Sequence, residues 1–368
     1  MRRMVQQIAL GFTRPAALLY AVVLPGALVL AGCATQTTQP VPQGQLPSPT
    51  QPVIVTPQET AEHVMLRAMA AQQDRLYRVA APILVKNPEL CKGNARNLLG
   101  FTAKNKYSYS AELAEAAQAA LGLGEQLQVT GVLAGSGAAR VGVRRGDKVL
   151  AAEGKTIPPG PNAERQAATI LAPLVGNRPN IKLTVMRDGT TIPVTVPLTR
   201  ACAYSIELGN ADNVNAYNDG RRVMITRGML NFARTDDELA YILAKEMAHN
   251  SLLHATKQNM SATVGDIIDN LIRIRPDLST MAGMSGVRPT PQALDAAADT
   301  LSLYMVARAG YSIDQAKGFW ERLANQYPAT VLNGYTAIHP STVYRSAVMD
   351  KIIVDVKAKQ ATRTPLLP

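Results

Sequence analysis

Aromatic residues, histidine and cysteine are all scarce in this chain of 368 residues, which holds one tryptophan, four phenylalanines, four histidines and three cysteines. Basic residues outnumber acidic ones by 38 to 27. No cluster of aromatic residues accompanies them, although single-stranded nucleic acids are bound on stacking surfaces of that kind. The composition therefore argues against a nucleic-acid partner. It favours a solvated surface or attraction to anionic lipid head groups.

Acidic residues are absent from residues 1–32, which carry Arg2 and Arg3 ahead of a long apolar run. This pattern is typical of a signal peptide. It ends in Leu30-Ala31-Gly32-Cys33, which resembles a bacterial lipobox, so we expect Cys33 to be acylated and to become the mature N-terminus. Ala34 resembles the default outer-membrane sorting signal. The sequence thus predicts a protein anchored by lipid to the periplasmic face of the outer membrane; a plain signal peptide with a chance cysteine is the alternative.

Charge is also absent from residues 34–56, which are rich in proline, glutamine, threonine and serine. This composition predicts a disordered tether over residues 33–56. Loss of the three signal-peptide arginines lowers the net charge from +11 to +8 in the mature chain. The remaining stretch of about 310 residues suits two domains. We divide it into a helical segment at 57–95, a module at 96–200, a second domain at 203–355 and a tail at 356–368.

Cysteine usage agrees with an oxidising compartment. Once Cys33 carries lipid, Cys91 and Cys202 remain, and an even pair favours a disulfide there. The bond would close a loop of about 110 residues, which contributes roughly 4–5 kcal/mol in the chain-entropy model. Two buried free thiols are the alternative.

The module at 96–200 is predicted from the order of its elements. A strand is followed by a short helix, a Gly146-Asp147 turn, a strand, a helix and a hairpin turned by Asp188-Gly189. This order resembles a PDZ domain. The resemblance implies peptide binding, in which backbone amides cradle a C-terminal carboxylate; the residues at that position are Leu99, Gly100 and Phe101. A module that serves only as a structural clamp is the alternative.

The segment Lys245-Glu246-Met247-Ala248-His249 departs by one residue from the H-E-x-x-H helix of zinc proteases. In that motif two histidines one turn apart hold Zn²⁺, and the glutamate between them activates the metal's water. A capping box at Thr235–Glu238 predicts the helix start, and apolar residues at helical spacing predict one buried face. Glu246 and His249 therefore stand at the positions of the general base and the second ligand, whereas Lys245 stands at the first ligand position.

Further segments make the pattern specific over residues 205–350. They are Val223–Leu230, Asp236–Ala240, Ala248–Asn250, Asp295–Asp299, Tyr304–Tyr311, His339-Pro340 and Arg345. Together they resemble peptidase family M48, the membrane and periplasmic zinc metallopeptidases that include HtpX and the CAAX proteases. The resemblance implies an α+β chain, in which the small β-rich PDZ-like domain precedes a mostly α-helical domain of the zincin type.

The same resemblance implies a set of site residues around one zinc ion. The family's third ligand is a glutamate four residues before an aspartate. The aspartate matches Asp299, so the ligand position falls on Asp295, which is shorter by one methylene. His339 matches a histidine that lies close to the metal in some members, and Arg345 is expected near the site. Asp295 could bind zinc, as either carboxylate can, or it could form a salt bridge with Lys245.

Lys245 is the departure with the largest consequence. A lysine ammonium has no lone pair, so it binds no cation until it loses a proton. With an unperturbed pKa of about 10.4, that loss costs roughly 4–5 kcal/mol at pH 7. A charged lysine would repel Zn²⁺. His254 offers no replacement, because on a continuing helix it would lie about 140° round from His249.

Two functions remain open. The first is a zinc metalloendopeptidase that handles envelope proteins or peptides with impaired catalysis; Glu246 would be its base, and His249, Asp295 and His339 would be its ligands. The second is a non-catalytic relative that binds unfolded or C-terminal peptides as a chaperone or adaptor. In both cases the expected partners are envelope polypeptides and the lipid membrane.

Overall fold

A computed structural model describes residues 59–279, 287–330 and 334–368. The predicted signal peptide, the lipidated Cys33 and the tether at 33–56 lie outside the described residues. Among the described residues, no helix combines the length and the apolar character that a membrane crossing requires.

Helices and strands both contribute to the described chain, as the predicted α+β class requires. The helices are α1 Ala61–Lys86, α2 Ala114–Leu121, α3 Gly137–Arg140, α4 Ala163–Asn177, α5 Arg227–Phe232, α6 Asp236–Ser251, α7 His254–Lys257, α8 Ser261–Leu271, α9 Gln292–Ala309, α10 Ala316–Gln326, α11 Gly334–Ile338 and α12 Val343–Ala361. The strands are β1 Ala95–Leu98, β2 Phe101–Lys104, β3 Gln128–Val132, β4 Lys148–Ala152, β5 Lys155–Thr156, β6 Asn180–Arg187, β7 Thr190–Pro197, β8 Thr199–Cys202, β9 Ser205–Gly209, β10 Ala216–Asn218 and β11 Arg222–Thr226. The fold class is confirmed: a β-rich region precedes a helical domain.

Three sheets organise the strands. The largest has the order β2-β3-β4-β6-β7 with β5 added to β4, and all of its pairs are antiparallel. Asp188 and Gly189 turn the β6–β7 hairpin with φ of 49° and 79°, as a two-residue turn with positive φ requires. A second sheet pairs β1 with β8. The third has the order β10-β11-β9, in which β11 is antiparallel to β10 and parallel to β9.

Helix α1 belongs to the core of the second domain. The sequence predicted a separate helical segment at 57–95. In the structure, α1 lies within this segment and contributes Leu76, Val79 and Ile83 to the same apolar cluster as Leu243 of α6. The module from β1 to β8 is therefore inserted between two parts of one core. The PDZ-like identity of this module stays a prediction.

The disulfide lies where the inserted module joins the second domain. Cys91 and Cys202 are bonded, with their Cα atoms 5.6 Å apart. Both are fully buried in the core cluster, and Cys202 pairs with Ala95 across the β1–β8 ladder. The bond thus holds together the entry and the exit of the module.

Removal of this bond should lower stability strongly. The two cysteines are 111 residues apart, and opening so long a loop costs about 4–5 kcal/mol in the chain-entropy model. We expect the Cys91→Ser, Cys202→Ser double variant to unfold at a clearly lower urea concentration than the oxidised protein. The matched control is wild-type protein that is reduced while unfolded and then refolded with its thiols kept reduced. It should unfold at the same urea concentration as the double variant, because both lack the bond. Equal unfolding midpoints for oxidised protein and double variant would contradict this prediction.

Helix α6 is buried on every side, whereas the sequence predicted one buried face. Every residue from Glu238 to Ser251 is buried. The reason is tertiary, since α1, α9, α10 and the strands β10 and β11 all pack against it. The polar residues of α6 consequently lie in the interior, where each of them needs a partner.

Candidate functional site

Two facing helices position the site. Thr235 starts α6 by accepting a hydrogen bond from the backbone N–H of Glu238 at 3.2 Å. From there, Lys245 and His249 lie one turn apart. Asp295 and Asp299 lie one turn apart on α9, which packs along α6. The four side chains meet between the two helices because residues at i and i+4 share one helix face.

Lys245 lies at the centre of this interface and is fully buried. Its Nζ donates to Asp299 Oδ1 at 2.7 Å and forms an ion pair with Asp295 Oδ1 at 2.9 Å. The same nitrogen lies 5.3 Å from the centroid of the Trp320 ring, within the range of a cation–π contact. The sequence left open whether Asp295 pairs with Lys245; in the structure it does, and Asp299 shares the ammonium.

Arg345 adds a second cation to the cluster. Its guanidinium donates to both oxygens of Asp299, from Nε at 2.5 Å and from a terminal nitrogen at 3.0 Å, and Nε lies 3.4 Å from Asp295 Oδ2. Burial alone would lower the pKa of Arg345, but Asp299 and Asp295 outweigh it and raise the pKa. Two cations thus face two carboxylates, and the cluster is electrically balanced by protein side chains alone.

Asp295 is held in its ionised form by these neighbours. Although burial alone would raise it, the pKa of Asp295 lies well below its ordinary value, because Lys245 and then His339 stabilise the carboxylate. His339 Nδ1 lies 2.7 Å from Asp295 Oδ1, and its N–H donates to that oxygen. His249 Nε2 lies 3.5 Å from the same oxygen. Asp295 Oδ1 is therefore already shared by an ammonium and an imidazole.

The buried histidines are neutral. Burial is the main cause that lowers the pKa of His249 and of His339, and it lowers that of His254 to about 3. His254 Nδ1 lies 3.0 Å from His249 Nδ1. The assumption that α6 continues to His254 was wrong, because the helix ends at Ser251 and Leu253 takes a left-handed φ of 58°. His254 thereby orients the His249 ring from outside the helix.

Glu246 faces the other side of the same space. Its Oε2 accepts a hydrogen bond from Asn218 Nδ2 of β10 at 2.6 Å, and its Oε1 lies 3.9 Å from His339 Nε2. Burial raises the pKa of Glu246 and outweighs the opposing effects of His249 and Asn218. Glu246, His249 and His339 line a cavity of about 50 Å³. The residues at the base and ligand positions therefore surround a space the size of one or two water molecules.

Three observations bear on whether these residues fit zinc. In favour, His249, Asp295 and His339 bring three ligand atoms within 4.8 Å of one another. Glu246 Oε1, His249 Nε2 and Asp295 Oδ2 also lack hydrogen-bond partners among the described residues. Against it, a zinc ion on Asp295 would lie a few ångströms from the buried ammonium of Lys245, where little solvent screens the repulsion. With a charged Lys245 the residues do not fit a zinc site.

Several contributors carried no recognisable signal in the sequence. Asn218 lies on a three-residue strand. Trp320 of α10 lies beneath both cations, with its ring centroid 4.9 Å from the Arg345 guanidinium carbon. Tyr335 stacks on Trp320 at 5.7 Å and contacts the His339 ring. The only hint was that Trp320 is the single tryptophan of the chain, which does not by itself indicate a cation site.

The predicted peptide-binding loop lies apart from this site. Leu99, Gly100 and Phe101 join β1 to β2 and line a separate, larger cavity. Gly100 has a φ of 85°, and a Cβ there would approach the Ser136 side chain to 2.5 Å. Glycine is therefore required at this turn, both for the backbone conformation and for the close packing.

Comparison with known proteins finds similarity over the second domain. Residues 192–353 match the family model described as Peptidase family M48. Two relatives carry the name "Mitochondrial metalloendopeptidase OMA1". The Arabidopsis thaliana protein is 25% identical over 173 residues, which cover 44% of this chain and 35% of the relative. The Schizosaccharomyces pombe protein is 24% identical over 149 residues, which cover 39% of this chain and 44% of the relative. The chain thus spans less than half the length of either relative.

Proposed function

We propose that the chain, whose residues 192–353 match the model of peptidase family M48, is a lipid-anchored, periplasmic member of this metallopeptidase family with impaired catalysis. It handles envelope proteins or peptides chiefly by binding them. One observation carries the proposal: the ammonium of Lys245 lies between Asp295 and Asp299, at 2.9 and 2.7 Å, with no solvent exposure.

The charge balance of the site supports this proposal. Lys245 and Arg345 offset Asp295 and Asp299, so no further cation is needed to stabilise the two buried carboxylates. The buried residues of the cavity beside Glu246 include imidazoles whose lowered pKa favours the neutral form and a carboxyl whose raised pKa favours the uncharged form. These side chains can accept hydrogen bonds from a bound chain or donate them to it. The cation among the lining residues is Arg288, which is exposed to solvent.

A second candidate function has its own supporting observation. The atoms Glu246 Oε1, His249 Nε2 and Asp295 Oδ2 are buried and make no hydrogen bond with a described residue, and buried polar atoms of this kind normally make one. If a zinc ion is that partner, His249, Asp295 and His339 would hold it, Glu246 would be the base, and the protein would be an active metalloendopeptidase. The metal would supply Lewis-acid activation of a peptide carbonyl.

Cleavage of casein, an unstructured protein substrate, distinguishes the two functions. We expect the wild-type protein to bind casein while cleaving it no faster than the Glu246→Gln variant, and a chelator should change neither rate. Glutamine keeps the size of Glu246 and an acceptor for Asn218, so the variant is a matched control. Chelator-sensitive cleavage that disappears in Glu246→Gln would favour the active enzyme instead.

Membrane attachment depends on Cys33 in this proposal. The variant Cys33→Ala removes the only thiol that the lipobox offers for acylation, so it should release the protein from membranes into the soluble periplasmic fraction. The measurement is cell fractionation followed by immunoblotting, with the unaltered protein as the control. Continued recovery of Cys33→Ala with the outer membrane would show that lipid is not the anchor.

A further inference from the structure

A second cavity, of about 810 Å³, shares none of its lining residues with the cavity beside Glu246. It lies between α1, the end of the inserted module formed by β2 and β3, and the strand β9. A cavity of this size can hold a small molecule or several side chains of a peptide, since ligand sites commonly measure about 300–1000 Å³. Its position between two domains is also where binding sites often lie.

The walls of this cavity are mainly apolar. Leu84 of α1, Leu98 and Leu133 of the module, and Ile206 of β9 all line it. Charged residues lie at its margin and are mostly paired: Asp74 with Arg145, and Arg78 with Asp236. Arg144 is exposed, so water can hydrate its charge. An apolar ligand would therefore be favoured in the interior.

Strand β9 meets the cavity along its edge. Ser205, Ile206 and Glu207 are consecutive, and all three line it. Since side chains alternate between the two faces of a strand, three consecutive lining residues indicate an edge-on approach. Ser205 N–H donates to Arg221 C=O on the β11 side at 3.2 Å, so the next residue, Ile206, directs its N–H and C=O to the opposite edge. In the described part of the chain, β11 is the only strand paired with β9.

Of the two carboxylates that line the cavity, Asp74 is paired with Arg145, whereas Glu207 forms no ion pair with a described residue. It is half-buried, and its carboxylate makes no hydrogen bond or ion pair with any described residue. Burial raises the pKa of Glu207, against the smaller effects of Lys104 and Arg222. A half-buried carboxylate beside an open strand edge is complementary to a cationic side chain on a chain that pairs with that edge.

We propose that this cavity binds an extended peptide segment with apolar side chains and one lysine or arginine. The segment pairs its backbone with Ile206 on the free edge of β9, and its cationic group contacts Glu207. This inference rests on the proposed peptide-handling function and names the kind of peptide. It differs from recognition of a C-terminal carboxylate, because it requires no free chain end.

Peptides with blocked ends test the proposal on the full-length protein. Fluorescence anisotropy would compare acetylated and amidated heptapeptides of valine and leucine that carry lysine, glutamate or methionine at the centre. We expect the lysine peptide to bind best. Glu207→Gln should weaken binding of the lysine peptide about 10- to 100-fold, as loss of a charge-assisted contact does. Glu207→Lys should reverse the order of affinity, so that the glutamate peptide binds more tightly than the lysine peptide. The exposed Glu112→Gln is the matched control and should change nothing.

Four results would overturn the inference, given melting curves which show that the variants are folded. Equal binding of the lysine and glutamate peptides, or undiminished binding of the lysine peptide by Glu207→Gln, would exclude Glu207 as the recognition group. Binding only of peptides with free C-termini would leave peptide handling intact but place it elsewhere. If no peptide binds, blocked or free, the proposed function fails together with the inference.

Discussion

Replacement of Lys245 by histidine should convert a protein with little zinc into one that binds about one zinc ion per chain. Histidine removes the buried cation and restores a lone pair one turn from His249, and Asp295 and His339 already lie within 4.8 Å of that histidine. We also expect chelator-sensitive cleavage of casein, an activity that we expect the unaltered protein to lack. The measurements are metal analysis after dialysis and a casein turnover assay.

Two control variants separate charge from ligation. Lys245→Met removes the ammonium without adding a lone pair; if it also takes up zinc, repulsion alone excluded the metal. In Lys245→His, Glu246→Gln, zinc should remain while cleavage is lost, because glutamine cannot accept a proton. A folded Lys245→His variant that stays free of zinc would contradict the view that Lys245 is what excludes the metal.

Loss of Asp299 should destabilise the fold more than any other single change at the site. Its two oxygens take hydrogen bonds from Lys245 and Arg345, both buried. Asp299→Ala leaves the cluster with two cations and one carboxylate, and an uncompensated buried charge costs about 3–5 kcal/mol. Urea unfolding monitored by circular dichroism would measure the loss, and Asp269→Ala, at an exposed ion pair, is a control that should cost much less.

A double-variant cycle tests whether this loss comes from the lysine. In a Lys245→Met background, Asp299 retains only Arg345 as its cationic partner, so Asp299→Ala should cost clearly less than in the wild type. If the two changes are additive, Lys245 and Asp299 do not act as a pair. If Asp299→Ala costs less than about 1 kcal/mol, the cluster is not the strongly coupled buried network that its distances indicate.

The local parts of the site could be predicted from the sequence. The near-match to H-E-x-x-H placed Lys245, Glu246 and His249 on one helix, and a capping residue fixed where that helix begins. The spacing of Asp295 and Asp299 placed both on one face of another helix. These features depend on residues within two or three turns of each other, for which helical periodicity is a sufficient guide.

The remaining features depend on how distant segments pack. The choice of Asp299 as a second partner of Lys245 is set by the packing of α9 on α6 and by Arg345 of α12. The burial of α6 on all sides requires α1, which begins 175 residues earlier in the chain. His254 reaches His249 only because a left-handed residue, Leu253, interrupts the helix. No short-range pattern encodes these contacts, so the sequence could not predict them.

Metal analysis of the unaltered protein tests the central claim most directly. The protein would be purified without chelators, incubated with excess zinc at neutral pH, dialysed, and measured by atomic emission together with protein concentration. If the Lys245 ammonium holds the position between Asp295 and Asp299, the result will be far below one zinc per chain. A tightly held zinc ion in every chain would contradict the account, because it would show that His249, Asp295 and His339 bind the metal despite the lysine.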